Sequence, residues 1–64
     1  MNQMDIAGYE LFQMVVVRFA DKYPARALYI DEKYYLHIDG TVQFNIYDYT
    51  ELGCYHALIN LLED

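Results

Sequence analysis

The chain is short of cysteine, of positive charge and of long apolar runs, and each shortage closes off a class of protein. Its one cysteine, Cys54, allows no intramolecular disulfide and fits a reducing, intracellular setting. Four Lys and Arg stand against ten Asp and Glu, a formal net charge of −6. Nucleic-acid affinity comes largely from neutralising phosphates, so direct binding to DNA, RNA or an anionic membrane is not expected. The longest purely apolar run, Met14 to Val17, falls far short of the roughly 20 residues that span a bilayer. The first residues, Met1 to Asp5, lack the basic region and apolar run of a signal peptide. A soluble, cytoplasmic protein is the expectation.

What is present is apolar and aromatic. Of 64 residues 56% are hydrophobic, with eight tyrosines and three phenylalanines, which argues against disorder. That length allows one domain, residues 1–64, whose stability is limited because a chain this short buries only about 60% of its unfolded surface.

Hydrophobic periodicity organises the chain as α-β-β-β-α. Asp5 to Tyr23 reads as a helix with Asp5 at its N-terminus and Pro24 as its stop. Its core face is Tyr9, Phe12, Val15, Val16, Phe19, Ala20 and Tyr23, and Glu10, Gln13, Arg18, Asp21 and Lys22 lie opposite. Met14 and Val17 intrude on that polar side as a candidate dimer contact. Ala27 to Ile30 reads as a first strand, and the stretch from Tyr34 to Asp48 as a hairpin about Asp39-Gly40. A two-residue loop there would put Leu36 opposite Gln43. A three-residue loop Ile38-Asp39-Gly40, with Gly40 left-handed, instead pairs Leu36 with Val42 and Tyr34 with Phe44. A three-residue turn at 31–33 extends the pattern, setting Ile30 opposite Tyr34 and Leu28 opposite Leu36. The inner face expected from this register is Leu28, Ile30, Tyr34, Leu36, Val42, Phe44 and Ile46. Thr50 to Leu62 reads as the second helix, apolar over more than half its circumference and capped by Asp48 or Thr50. The expected fold is α+β, a single two-layer domain with both helices on one face of a three-stranded antiparallel sheet.

The other face of the sheet then carries Tyr29, Tyr35, His37, Gln43, Asn45 and Tyr47, with Thr41 among them. Two readings stay open for it. Tyr, Asn and His suit a contact surface because they join rigid apolar area to a polar tip, and Tyr and Thr are also ordinary residues of a solvated strand.

Catalytic and metal chemistry finds no support. Cys54 and His56 are two apart on a helix, on different sides, and His37 is remote in sequence, so no metal site is expected. The histidines have no serine or carboxylate arrangement of the catalytic type, and Gly8, Gly40 and Gly53 form no phosphate loop. Neither enzymatic activity nor a cofactor is expected. The topology does, however, gather charge. One end collects Asp5, Asp31, Glu32, Asp48 and Glu51, with Lys33 alone opposing them. Arg18, Lys22 and Arg26 lie toward the other end, beside Asp21, Asp39, Glu63 and Asp64. Asp5, Asp48 and Glu51 have helix-capping reasons for their places, whereas Asp31 and Glu32 have none visible in the sequence.

The element order resembles that of double-stranded-RNA-binding domains, but their basic cluster at the start of the last helix is replaced here by Asp48-Tyr49-Thr50-Glu51. In size, charge and aromatic content, and through Asp31, Glu32, Asp48, Glu51 and the tyrosines, the chain resembles the small acidic inhibitors of bacteriophages and mobile elements, anti-CRISPR proteins among them. Some of these offer carboxylates to a nuclease or polymerase groove in place of phosphates. The resemblance implies a protein that inhibits a basic, nucleic-acid-handling protein complex by steric and electrostatic occlusion. Its contact surface would be Asp31, Glu32, Asp48 and Glu51 with the tyrosine face. The alternative is a homodimeric structural or regulatory subunit that meets its copy through Met14 and Val17, the second helix or a strand edge.

Overall fold

The computed structural model describes residues 4–63, so Asp64 and the first three residues lie outside the described part. The order is α1 (Ile6–Lys22), β1 (Leu28–Ile30), β2 (Tyr35–Ile38), β3 (Thr41–Asn45), a single 3-10 turn (Ile46–Asp48) and α2 (Glu51–Glu63). The three strands form one antiparallel sheet in the order β1-β2-β3. This is the small α+β domain expected from the periodicity.

Each helix starts on a side chain that satisfies an orphan amide. Asp5 accepts from the Gly8 amide at 2.7 Å, and Thr50 Oγ1 accepts from the Gly53 amide at 2.9 Å. Tyr23 ends α1 because the following Pro24 disfavours helical backbone at the residue before it. The core joins both helices to one face of the sheet. Phe12 and Val16 of α1 and Cys54, Leu58 and Leu62 of α2 cluster with Leu36, Ile38 and Ile46, all buried. At the far end the Tyr23 hydroxyl donates to Glu63 at 2.7 Å, tying the ends of the two helices together.

The hairpin differs from expectation in an informative way. Ile38 pairs directly with Thr41, so the loop is the two residues Asp39 and Gly40, not three. Both have left-handed backbone, φ 55° and 83°, the signature of the turn that matches strand twist. Asp39 is held there from both sides. Its carboxylate accepts from the Ala27 amide at 3.0 Å and from Arg26 Nε at 2.7 Å. The realignment that brings Leu36 opposite Phe44 comes instead from a β-bulge: His37 faces Val42, Leu36 faces Phe44, and Gln43 is the extra residue. Val42, expected inside, is therefore turned out and is 53% exposed.

The turn between β1 and β2 also departs from expectation. Ile30 pairs with Leu36 and Leu28 with Ile38, two residues away from the anticipated register but on the same face. The longer loop ejects Tyr34 from the strand. It takes left-handed backbone at φ 69°, bonded through its amide to the Asp31 carbonyl and through its carbonyl to the Ile46 amide.

Nothing lies within 4 Å of the place a Cβ would take on Gly40, so a substitution there strains only the backbone. Gly40→Ala is expected to lower stability by about 1–2 kcal/mol, the cost of left-handed backbone for an L side chain. The shift would be read in the urea midpoint with no change in its slope.

Candidate functional site

The acidic end is assembled by the topology. β1 ends there, β2 begins there, β3 ends there, and α2 starts after the 3-10 turn. The start of α1 is fastened to the same place by a 2.9 Å bond from the Met4 amide to the Tyr49 carbonyl. Asp5, Asp31, Glu32, Asp48 and Glu51 thus come to one end, with Lys33 the basic residue among them. The opposite end is compensated: Arg26 pairs with Asp39 at 2.7 Å, and Lys22 lies over the Phe19 and Tyr23 rings at 5.8 and 5.5 Å. Glu32, Asp48 and Glu51 are exposed and make no ion pair among the described residues.

Asp31 has a structural task that its sequence position does not reveal. Its carboxylate accepts from the Lys33 amide at 2.8 Å, the Tyr35 amide at 3.0 Å and His37 Nε2 at 2.7 Å. The bond from His37, then those from the backbone amides, hold its carboxyl below the usual carboxylate range. A carboxylate with a lowered folded pKa stabilises the fold above its unfolded value, and that contribution is lost as pH falls through the folded one. Urea midpoints are therefore expected to drop below about pH 4. The Asp31→Asn variant would show less of this drop. It would not abolish it, because Asp39, bonded to the Ala27 amide and to Arg26, is lowered in the same sense.

The outer face of the sheet holds a row formed by Tyr29, His37 and Val42, followed by Tyr35 and Asn45. Tyr29 and His37 stack face to face across the strand pair, with ring centroids 4.4 Å apart and 9° between planes, so each ring holds the other in place. With its proton on Nε2, His37 donates to Asp31, and its Nδ1 is buried without a hydrogen-bond partner among the described residues. Tyr29 and Tyr35 remain exposed. Asn45 is occupied: its amide nitrogen donates to the Lys33 carbonyl at 3.1 Å and its oxygen accepts from the Tyr47 amide at 2.8 Å. Gln43 sits half-buried in the bulge and donates to the Thr41 carbonyl at 3.3 Å.

Tyr47 does not share this face. The 3-10 turn swings it against α1, where its ring stacks on Tyr9 with centroids 6.2 Å apart and meets Tyr34 edge-on at 5.0 Å. Tyr9 and Tyr34 complete an aromatic trio at 5.5 Å. Burial is the main cause that raises the Tyr47 phenol pKa, with the neighbouring tyrosines and Asp5 adding to it. Sequence reasoning missed the trio because it placed Tyr47 on the outer face of the sheet, away from Tyr9 on the core face of the first helix and Tyr34 on the inner face that the helices cover. The left-handed backbone at Tyr34, which brings them together, has no sequence signal.

The reactive side chains are otherwise quiet. Cys54 is fully buried and its thiol donates to the Ile46 carbonyl at 3.3 Å; burial pushes its pKa up to about 11, so it carries little thiolate at neutral pH. Among the described residues, no three His, Cys, Asp or Glu side chains converge as a metal site, and no helix is long and apolar enough to cross a membrane. Comparison with family models, curated proteins and solved structures gives no match.

Proposed function

We propose that the protein is a small binding domain, acting through its surface rather than through catalysis. More particularly, it is an inhibitor that occupies a basic, nucleic-acid-handling protein complex in the cytoplasm, in the manner of the phage-encoded inhibitors it resembles. The observation that carries this reading is the uncompensated acidic end. Glu32, Asp48 and Glu51 are exposed there beside the Tyr9–Tyr34–Tyr47 trio, while at the opposite end acids and bases are mixed and Arg26 is paired with Asp39.

The mechanism is occlusion. Carboxylates steer the domain to a groove built for phosphates, and exposed tyrosines supply contact area once it is seated. Asp31 supports this end without contacting the partner, since its oxygens are already bonded within the turn. The test is competition. The protein is titrated into preformed complexes of basic nucleases, polymerases or DNA-binding effectors with labelled duplex, at several salt concentrations. Displacement of the duplex that weakens steeply with salt is expected. Binding indifferent to ionic strength, or capture without displacement, would overturn the reading.

A further inference from the structure

α1 has a second face that the fold leaves uncovered. Opposite Phe12 and Val16 runs an exposed strip containing Glu10, Leu11, Met14, Val17 and Arg18. Leu11, Met14 and Val17 are each more than half exposed, and shallow hollows lined by Gln13, Met14, Val17 and Arg18 lie along it. Single exposed apolar side chains are ordinary; three in register on one helix face form a surface that water covers poorly.

The order of residues on the strip says what fits it. Leu11 and Val17 lie three residues before and after Met14, and Glu10 and Arg18 four before and after. The strip is thus symmetric about Met14 in apolar character and opposite in charge. An antiparallel copy related by a two-fold axis at Met14 sets Met14 against Met14, Leu11 level with Val17, and Glu10 level with Arg18 at both ends. A partner of uniform charge would leave Glu10 or Arg18 opposed by its own sign.

We propose that this strip is a dimer interface and that its occupant is a second copy of the chain, antiparallel about Met14. The net charge does not forbid it. Glu51 borders the strip, in a hollow it shares with Leu11, Met14 and Arg18; Asp5 and Met14 are nine residues apart, so at 1.5 Å per residue the two Asp5 positions sit about 27 Å apart in the dimer. That is well beyond the ~8 Å over which salt screens exposed charges. On the same flank Leu52 and Tyr55 of α2 border a hollow with Val15 and extend the apolar contact, with Glu51 also lining it.

Sedimentation analysis with single charge reversals tests the register. The wild-type chain is expected to dimerise in a concentration-dependent way. Glu10→Arg and Arg18→Glu should each weaken the dimer by about tenfold or more, because the two-fold axis enters each change twice. An equimolar mixture of the two variants should recover it, since every level then carries one acid and one base. A Met14→Cys variant gives a second measure that does not depend on charge. Cys54 is buried, so on mild oxidation the new thiol at the axis should link two copies far faster than a Glu32→Cys thiol at the pole. Circular dichroism unchanged from wild type would show that the variants fold. A wild-type chain monomeric to about 1 mM, a mixture no tighter than its components, or equal cross-linking of the two thiol variants would overturn the proposal.

Discussion

Phe12→Ala is expected to leave much of the protein unfolded in the absence of denaturant. Phe12 is 1% exposed and lies where α1 meets both the sheet and α2. Truncating a buried phenylalanine costs about 3–5 kcal/mol in lost transfer energy and residual cavity. A domain of this length commands a total of only about 3–10 kcal/mol, at roughly 0.05–0.15 kcal/mol per residue. The measurement is urea unfolding followed by far-ultraviolet circular dichroism, with Leu58→Met as the companion. Leu58 is equally buried, but the swap nearly conserves volume, so it should cost less than about 1.5 kcal/mol. Comparable losses for the two would mean that the core is not packed as described.

Reversing Glu32, Asp48 and Glu51 to lysine together is expected to reduce inhibition of a basic partner by about 100-fold or more at low salt. Each reversal changes the charge by two, so the three take the chain from −6 to neutral. The change should fall mainly on the association rate and should fade as salt rises. Asp31 is left in place deliberately, because its bonds to the Lys33 and Tyr35 amides and to His37 shape the turn. The stability cost should stay near 1 kcal/mol, mostly from Glu51, whose carboxylate sits in the favourable first turn of α2. Full retention of inhibition by a folded triple variant would remove the acidic end from the mechanism.

The fold was legible in the sequence because its signals are local. Asp5 and Pro24 bracket α1, Asp39-Gly40 marks the hairpin, and the apolar arc of α1 contains Phe12 and Val16, which are buried. The register was legible only in part. Burial demands that Leu36 share a face with Phe44, which requires one extra residue between them, and it does not say where that residue goes. Placing it in the loop keeps Val42 inside; placing it at Gln43, after Val42, turns Val42 out. The acidic end followed from topology alone. The tasks of its members did not, because Asn45 to Lys33 and Tyr9 to Tyr47 are contacts between residues far apart in sequence. No periodicity encodes them.

The bulge at Gln43 has a bearing on how chains of this protein meet one another. An exposed strand edge is a template on which other strands polymerise, and small sheets with bare edges are prone to fibre growth. Here β3, one of the two edges, has its ladder interrupted at the bulge, and β1, the other, is only three residues long. Neither offers an incoming backbone a long, evenly spaced row of amides and carbonyls. A neighbouring molecule must therefore engage side chains rather than extend the sheet, which favours closed assemblies of defined size over open-ended ones.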